Sequence, residues 1–133
     1  MRNRVLVEKS HFHVDETNKV IVCTLWCNMQ LDKHPAWYSI NDYMFKSIPN
    51  VKWGGAFIVK AKARCSEVDT FDIEVGKRIA ESRAKVKMYN IATRVYKLCS
   101  EALSKHAKEC DYSAIACKQA MEVEDEHVLK LTK

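Results

Sequence analysis

Cationic side chains at helical spacing are the residues of this sequence that most directly suggest a chemistry. Five polar positions follow one another at intervals of three and four residues: Arg83, Lys87, Asn90, Arg94 and Lys97. A helix turns by about 100° per residue, so this spacing places four positive charges and one amide on one face. Such a face either binds an anion or is simply solvated, and the sequence alone leaves both readings open.

A second set of cations belongs to the segment that precedes this helix. Within residues 51–65, side chains of two kinds alternate along the chain. The apolar set is Phe57, Val59, Ala61, Ala63 and Cys65, and the set between them is Ile58, Lys60, Lys62 and Arg64. A period of two predicts a β-strand with one core face and one face that carries three cations. Outward lysines are also a common guard against edge-to-edge aggregation. The Gly54-Gly55 pair predicts a bulge or a close approach to the backbone.

The helix itself is predicted to begin near residues 69–71, where Asp69, Thr70 and Asp72 are good helix-start residues. Two apolar stripes follow on opposite sides, one of Phe71, Val75, Ile79, Val86 and Tyr89, the other of Ile73, Ala80, Ala84, Ile91, Val95 and Leu98. We expect one stripe to pack on the sheet and the other on a second copy, which predicts a homo-oligomer.

The helical region is too long for one compact domain. A continuous helix from Phe71 to about Lys108 would project from a domain of this size. We therefore expect a break near Tyr89–Asn90 or at Ser100, or packing of the far half on another subunit. Asp111 is expected to cap a last helix.

The N-terminal half is predicted to be mainly β. Residues 4–14 and 19–29 are rich in β-formers and flank a short polar turn, so they predict a hairpin. Residues 31–50 contain both prolines and four aromatic residues, and predict an insertion with a short helix over Ile40–Phe45. The expectation is one α+β domain over 1–133: an antiparallel sheet within 1–65, then two or more helices within 69–133.

Composition limits the classes of function. The net charge of +5 favours an anionic partner, and no apolar run is long enough to cross a bilayer. The start, MRNRVLVEKS, has no apolar core of a secretory signal, so we expect a cytoplasmic protein with six reduced cysteines.

Catalytic signatures are missing from the sequence. It has no phosphate-binding glycine loop, nucleophile elbow or metalloprotease helix. A Cys65 nucleophile with His106 as its base would need two distant residues to meet. Cys23 and Cys27, like His11 and His13, fit strand positions better than a zinc site. We expect neither an enzyme nor a bound metal or other cofactor.

The segment DTFDIEVGKRIAESRAK, preceded by a short strand ending in a Lys/Ala/Cys run, resembles phage Thoeris anti-defence proteins, which act as sponges for cyclic ADP-ribose signals. The resemblance covers roughly residues 50–90. It implies a phage protein that sequesters a cyclic ADP-ribose isomer, or a cyclic oligonucleotide, in the host cytoplasm without cleaving it. It also implies an oligomer.

Charge and spacing in this chain, rather than the family, assign the ligand residues. Phosphates and ribose hydroxyls are assigned to Arg83, Lys87, Asn90, Arg94 and Arg64, and base stacking to Tyr89, Phe57 or Trp53. Core packing is the alternative role for each of the three aromatic residues. The alternative function is a small basic protein that binds nucleic acid or inhibits a nuclease with the same cations.

Overall fold

The chain forms a three-stranded sheet followed by one long helix. A computed structural model describes residues 5–33, 51–52, 54–66 and 70–132. The elements in chain order are β1 (Leu6–Asp15), β2 (Val20–Asn28), a single 3-10 turn (Leu31–Lys33), β3 (Ala56–Arg64) and α1 (Ile73–Leu131). The sheet is antiparallel throughout, with strand order β1-β2-β3.

Strands β1 and β2 form the hairpin that the sequence predicts. Asp15 closes the turn, because its carboxylate accepts hydrogen bonds from the backbone N (3.1 Å) and the side-chain Nδ2 (2.8 Å) of Asn18. Lys19 leaves the turn with φ of 52°, the left-handed conformation that tight turns require. A bulge between Val7 and Lys9 shifts the register near the open end of the hairpin.

Strand β3 pairs with β2 and has the predicted alternation. Its inward side chains, Phe57, Val59, Ala61 and Ala63, are buried, whereas Lys60 and its outward neighbours are exposed. The close approach expected at the glycines is confirmed: Gly54 and Gly55 have φ of 99° and 95°, and their carbonyls accept from Leu31 N and Met29 N at 3.0 Å. A Cβ on Gly55 would lie 2.8 Å from Met29 Cβ.

Helix α1 covers the inner face of the sheet with only one of its two apolar stripes. Asp72 is its N-cap and accepts from Val75 N at 3.1 Å. The buried helix residues are Ala80, Ala84, Met88, Ala92, Val95 and Cys99. Small residues allow close contact with the sheet, and a Cβ on Gly76 would meet Ile21 Cδ1 at 2.5 Å. Of the other stripe, Val75, Ile79, Val86 and Tyr89 are exposed.

The prediction of two or more C-terminal helices is wrong, although the α+β class fits. Helix α1 continues for 59 residues through Tyr89–Asn90 and Ser100, and Asp111 lies inside it instead of capping a new helix. At 1.5 Å per residue its length is about 88 Å. The segment contains no proline, and its only glycine is Gly76, so no residue in it strongly terminates a helix. Residues 104–132 are exposed throughout.

Some expectations fall outside the described residues. They are the short helix over Ile40–Phe45, most of the aromatic insertion over 31–50, and Trp53. Along the part of the chain that the structure describes, no helix combines the length and hydropathy needed to cross a membrane.

Candidate functional site

The outer face of the sheet, opposite α1, is strongly basic. Residues directly across from one another share a face, so the register defines its rows. Three such rows are His11–Thr24–Lys60, His13–Val22–Lys62 and Asp15–Val20–Arg64, and the row nearest the open end of the hairpin is Lys9–Trp26–Ile58. We call Lys9, His11, His13, Lys60, Lys62 and Arg64 the basic face. All six are exposed.

Two cations of α1 reach the free edge of β3. Arg83 Nη1 donates to the Lys62 carbonyl at 3.0 Å, and Lys87 Nζ donates to the Lys60 carbonyl at 2.7 Å. These carbonyls belong to the strand edge that β2 does not pair with, and an edge strand needs such cover. Arg83 and Lys87, which we call the edge cations, therefore have a structural role at β3 as well as a positive charge.

The remaining members of the helical line lie farther along α1. Asn90, Arg94 and Lys97 are exposed and follow the edge cations on the same face of the helix. Tyr89 is 44% exposed beside them. Positive charge thus continues from the basic face, around the edge of β3, and along α1.

A cavity at the basic face lies at the turn end of the hairpin. It has a volume of about 540 Å³ and is lined by Asp15, Thr17, Asn18, Lys19, Val20, Lys62, Arg64 and Cys65. We call it the turn-end cavity. A second cavity, of about 280 Å³, shares Arg64 and Cys65 with it and extends to Phe71 and Gly76 at the start of α1. Three cations and one aromatic ring therefore line two adjoining concave spaces.

A third cavity, of about 490 Å³, lies at the opposite end of the sheet between Glu8, Trp26, Lys52 and Phe57. Lys9 Nζ lies 4.9 Å from the centroid of the Trp26 ring, which places a cation over an aromatic face. Phe57 lines this cavity but is only 4% exposed, so most of its ring belongs to the core.

The structure distributes the eight predicted ligand residues over several places. Arg64 lines the turn-end cavity, and the edge cations adjoin it through the backbone of Lys62 and Lys60. Asn90, Arg94 and Tyr89 lie farther along α1, Phe57 lies at the other end of the sheet, and Trp53 is outside the described residues. None of these three cavities is lined by Arg83 or Arg94.

Six residues of the basic surface were not among the predicted ligand residues: Lys9, His11, His13, Lys19, Trp26 and Lys62. Each lies on an element that the sequence does predict. The missing information was the register of β1 on β2, which places the histidines in the rows of Lys60 and Lys62. The four-residue turn after Asp15 would have supplied that register.

Electrostatics at the turn-end cavity is mixed rather than purely positive. The two hydrogen bonds from Asn18 lower the pKa of Asp15 below its ordinary value of 3.8. Asp15 is therefore a fixed anion among Lys19, Lys62 and Arg64 at neutral pH. The cavity offers donors to phosphate oxygens and an acceptor to a hydroxyl or amino group.

The Cys65 and His106 side chains, the nucleophile and base considered from the sequence, lie far apart in the structure. Burial raises the pKa of the Cys27 thiol to about 11 and also raises the pKa of Cys23 and Cys99, so these three thiols are protonated at neutral pH. Cys65 lies beside Gly76, whereas His106 is 30 residues farther along α1, a distance of about 45 Å. Within the ranges described, no three His, Cys, Asp or Glu side chains cluster closely enough to hold a metal ion.

Comparison with known proteins gives this chain no relative. It matches no protein-family model, no curated protein and no solved structure. The function has to be argued from the cations, the cavities and the resemblance of the segment around the start of α1.

Proposed function

We propose that this protein binds and sequesters a cyclic nucleotide immune signal, a cyclic ADP-ribose isomer or a cyclic oligonucleotide, without cleaving it, as a phage anti-defence protein. The observation that carries the proposal is the turn-end cavity, where Lys19, Lys62 and Arg64 converge. Its volume of about 540 Å³ is in the range of small-molecule sites, roughly 300–1,000 Å³. The nucleotide class follows from the resemblance.

Each part of such a ligand has a matching group. Arg64 presents a planar fork of donors and Lys62 a point charge, the two means by which proteins hold phosphate. The Asp15 carboxylate has lone pairs beyond those used by Asn18 and accepts from a ribose hydroxyl. The ring of Phe71, in the adjoining cavity, is placed to stack on a base.

Calorimetric titration with cyclic ADP-ribose isomers, linear ADP-ribose and cyclic dinucleotides tests the proposal. Arg64→Ala together with Lys62→Ala should abolish binding, because both phosphate donors are removed. Lys105→Ala with Lys108→Ala is the matched control: it removes the same charge from exposed positions of α1 more than about 40 Å along the helix from the cavity. Chromatography after incubation should recover the ligand intact. Unchanged affinity in the cavity variant, or a cleaved product, contradicts the proposal.

A second function, nucleic-acid binding, is favoured by one observation: the cations extend around the edge of β3 and along α1 instead of ending at a cavity. A polyanion contacting this surface would bind less tightly as salt rises, because each neutralised phosphate releases counterions. Lys9→Ala and Arg94→Ala, both away from the turn-end cavity, separate the two functions. They should weaken binding of an oligonucleotide but leave affinity for a cavity ligand unchanged.

A further inference from the structure

The distal part of α1, residues 104–131, has no cover in the described chain, and Leu103 just before it is half-buried. Its larger apolar side chains are exposed: Met121 is 57%, Val128 56% and Leu131 72% accessible. An isolated helix of this length gains little stability from intrinsic propensity alone, because most helical stability in proteins comes from packing of an apolar face. A contiguous exposed apolar face of this kind marks an interaction surface.

One row of this segment follows a heptad pattern, and Tyr112, Ile115, Val123 and Leu129 are exposed apolar residues outside that row. Alternate steps of four and three residues from Leu103 define a seam whose larger members are Leu103, Cys110, Cys117, Met121, Val128 and Leu131. Ala107 and Ala114 occupy two further seam positions, and Glu124 is the one charged residue in the seam. Apolar positions repeating every seven residues as a 3,4 pattern are the signature of a coiled coil.

We infer that residues 103–131 form an antiparallel two-stranded coiled coil with the same segment of a second copy of this chain. Orientation follows from charge. In a parallel pair, Glu124 would face Glu124 of the partner inside the seam. Like charges in this arrangement repel, which disfavours the parallel pair.

The antiparallel arrangement brings the acidic block, residues 122–126, beside residues 105–109 of the partner, which include Lys105 and Lys108. Pairing the seam residues about a centre between residues 115 and 116 also matches side-chain size. Met121 lies opposite Cys110, Val128 opposite Leu103, and Ala114 opposite Cys117. The charged seam residue, Glu124, meets only Ala107, next to Lys108.

Residues flanking the seam agree with the same register. Asp111 and Lys118 each follow a seam residue, and the antiparallel pair places Asp111 of one copy opposite Lys118 of the other. Two opposite-charge pairs form by symmetry. Such flanking charges set the orientation of coiled-coil partners.

Sedimentation equilibrium of the full chain tests the interface with a matched pair of variants. Met121 lies in the seam and Val123 on the opposite side of the helix, with similar exposures of 57% and 62% in one chain. Met121→Glu should raise the dimer dissociation constant by about tenfold or more, because it puts a charge into the buried seam. Val123→Glu should change it less than about twofold. A monomeric wild type, or an equal response to the two variants, overturns the inference.

Two further experiments test the orientation. Asp111→Lys should weaken the dimer, and Asp111→Lys with Lys118→Asp should restore it, since this exchange re-forms both pairs only in the antiparallel register. Ala114→Cys should form a disulfide-linked dimer through Cys117 when an oxidant such as copper phenanthroline is added. Rapid cross-linking of the wild type through Cys110 would instead indicate a parallel pair and contradict the inference.

The seam contains none of the residues assigned to the ligand. Titration of Met121→Glu with cyclic ADP-ribose isomers therefore separates the two proposals. A variant that loses the dimer but still binds the ligand supports the coiled coil and leaves the proposed ligand site unaffected.

Discussion

Asp15 gives the turn-end cavity a chemical preference that its cations alone would not have. A site of lysines and arginines would accept any phosphate, whereas a carboxylate fixed among them repels a bare anion that approaches it. Asp15 favours ligands that place a hydrogen-bond donor beside their phosphates. A nucleotide, whose ribose hydroxyls lie close to its phosphates, meets this requirement better than inorganic phosphate does.

Replacing Asn18 with alanine should raise the pKa of Asp15 towards 3.8, because the two largest causes of the lowered pKa are hydrogen bonds from this residue. The side-chain bond is lost outright, and the backbone bond loses the turn geometry that supports it. NMR titration of the carboxyl carbons measures the shift. Asn90→Ala, an exposed amide on α1, is the control and should leave the titration of Asp15 unchanged.

The sign of the stability effect follows from the lowered pKa. A carboxyl with a lower pKa in the folded state stabilises the fold above its unfolded value and loses this contribution as the pH falls through the folded value. Asn18→Ala should therefore be less stable than the wild type at neutral pH, with the difference shrinking as the pH falls below 3.8. A difference that is constant with pH would mean that Asp15 does not act through its charge.

At the scale of elements, the two edge cations beside β3 each have two roles. The Arg83 and Lys87 side chains satisfy carbonyls on the open edge of the sheet, and their charge adds to the surface that surrounds β3. An unpaired edge is a template for aggregation, so these contacts protect the strand as well as hold α1 against it. Replacing Arg83 should therefore change the stability of the fold as well as any affinity for a ligand.

Arg83→Ala combined with Lys87→Ala should lower the free energy of unfolding by about 1 kcal/mol, because two solvent-exposed hydrogen bonds to the edge are lost. It should also aggregate more readily, since the edge carbonyls lose their donors. Urea denaturation and light scattering measure the two effects. Arg94→Ala with Lys97→Ala, on the same face of α1, removes equal charge. Equal behaviour of the two double variants would show that the edge contacts contribute nothing.

The elements were largely predictable because their signals are local. The alternation around Val59 and the polar turn between β1 and β2 predict the sheet. The helix start predicted near residues 69–71 lies within a few residues of the observed N-cap, Asp72. The end of α1 was not predictable by the same means. Ser100 and Asp111 are modest helix formers, each costing well under 1 kcal/mol in a helix interior, so neither terminates it. A break was expected because a continuous helix would be longer than a compact domain of this size. A helix that extends beyond its domain is not limited by the dimensions of that domain.

At the scale of the whole molecule, the site was harder to predict than its parts. Lys62 and Arg64 were placed correctly on the outer strand face, but Lys19 joins them only through the pairing of β2 with β3 and the turn before it. The helical line, read as one anion-binding edge, divides in space: Arg83 and Lys87 contact β3, whereas Arg94 lies beyond them. Sequence spacing fixes the face of a helix, but not what that face meets.

The molecule consists of a sheet covered by half of a helix and an exposed second half, which we propose to pair with a second copy. The two halves of α1 should therefore differ in stability. Residues 73–103 pack on the sheet within one chain, and residues 104–131 have only the coiled coil to hold them. Hydrogen exchange followed by mass spectrometry measures each segment separately. In Met121→Glu, amides of the distal segment should exchange much faster than in the wild type, whereas those of residues 73–103 should be unchanged, because an unpartnered helix frays and a docked one does not.

Dilution of the wild type should reproduce the effect and Val123→Glu should not. Uniform exchange along α1 in all three proteins would mean that the distal helix is stable alone, and the physical reason given for its partner would be lost.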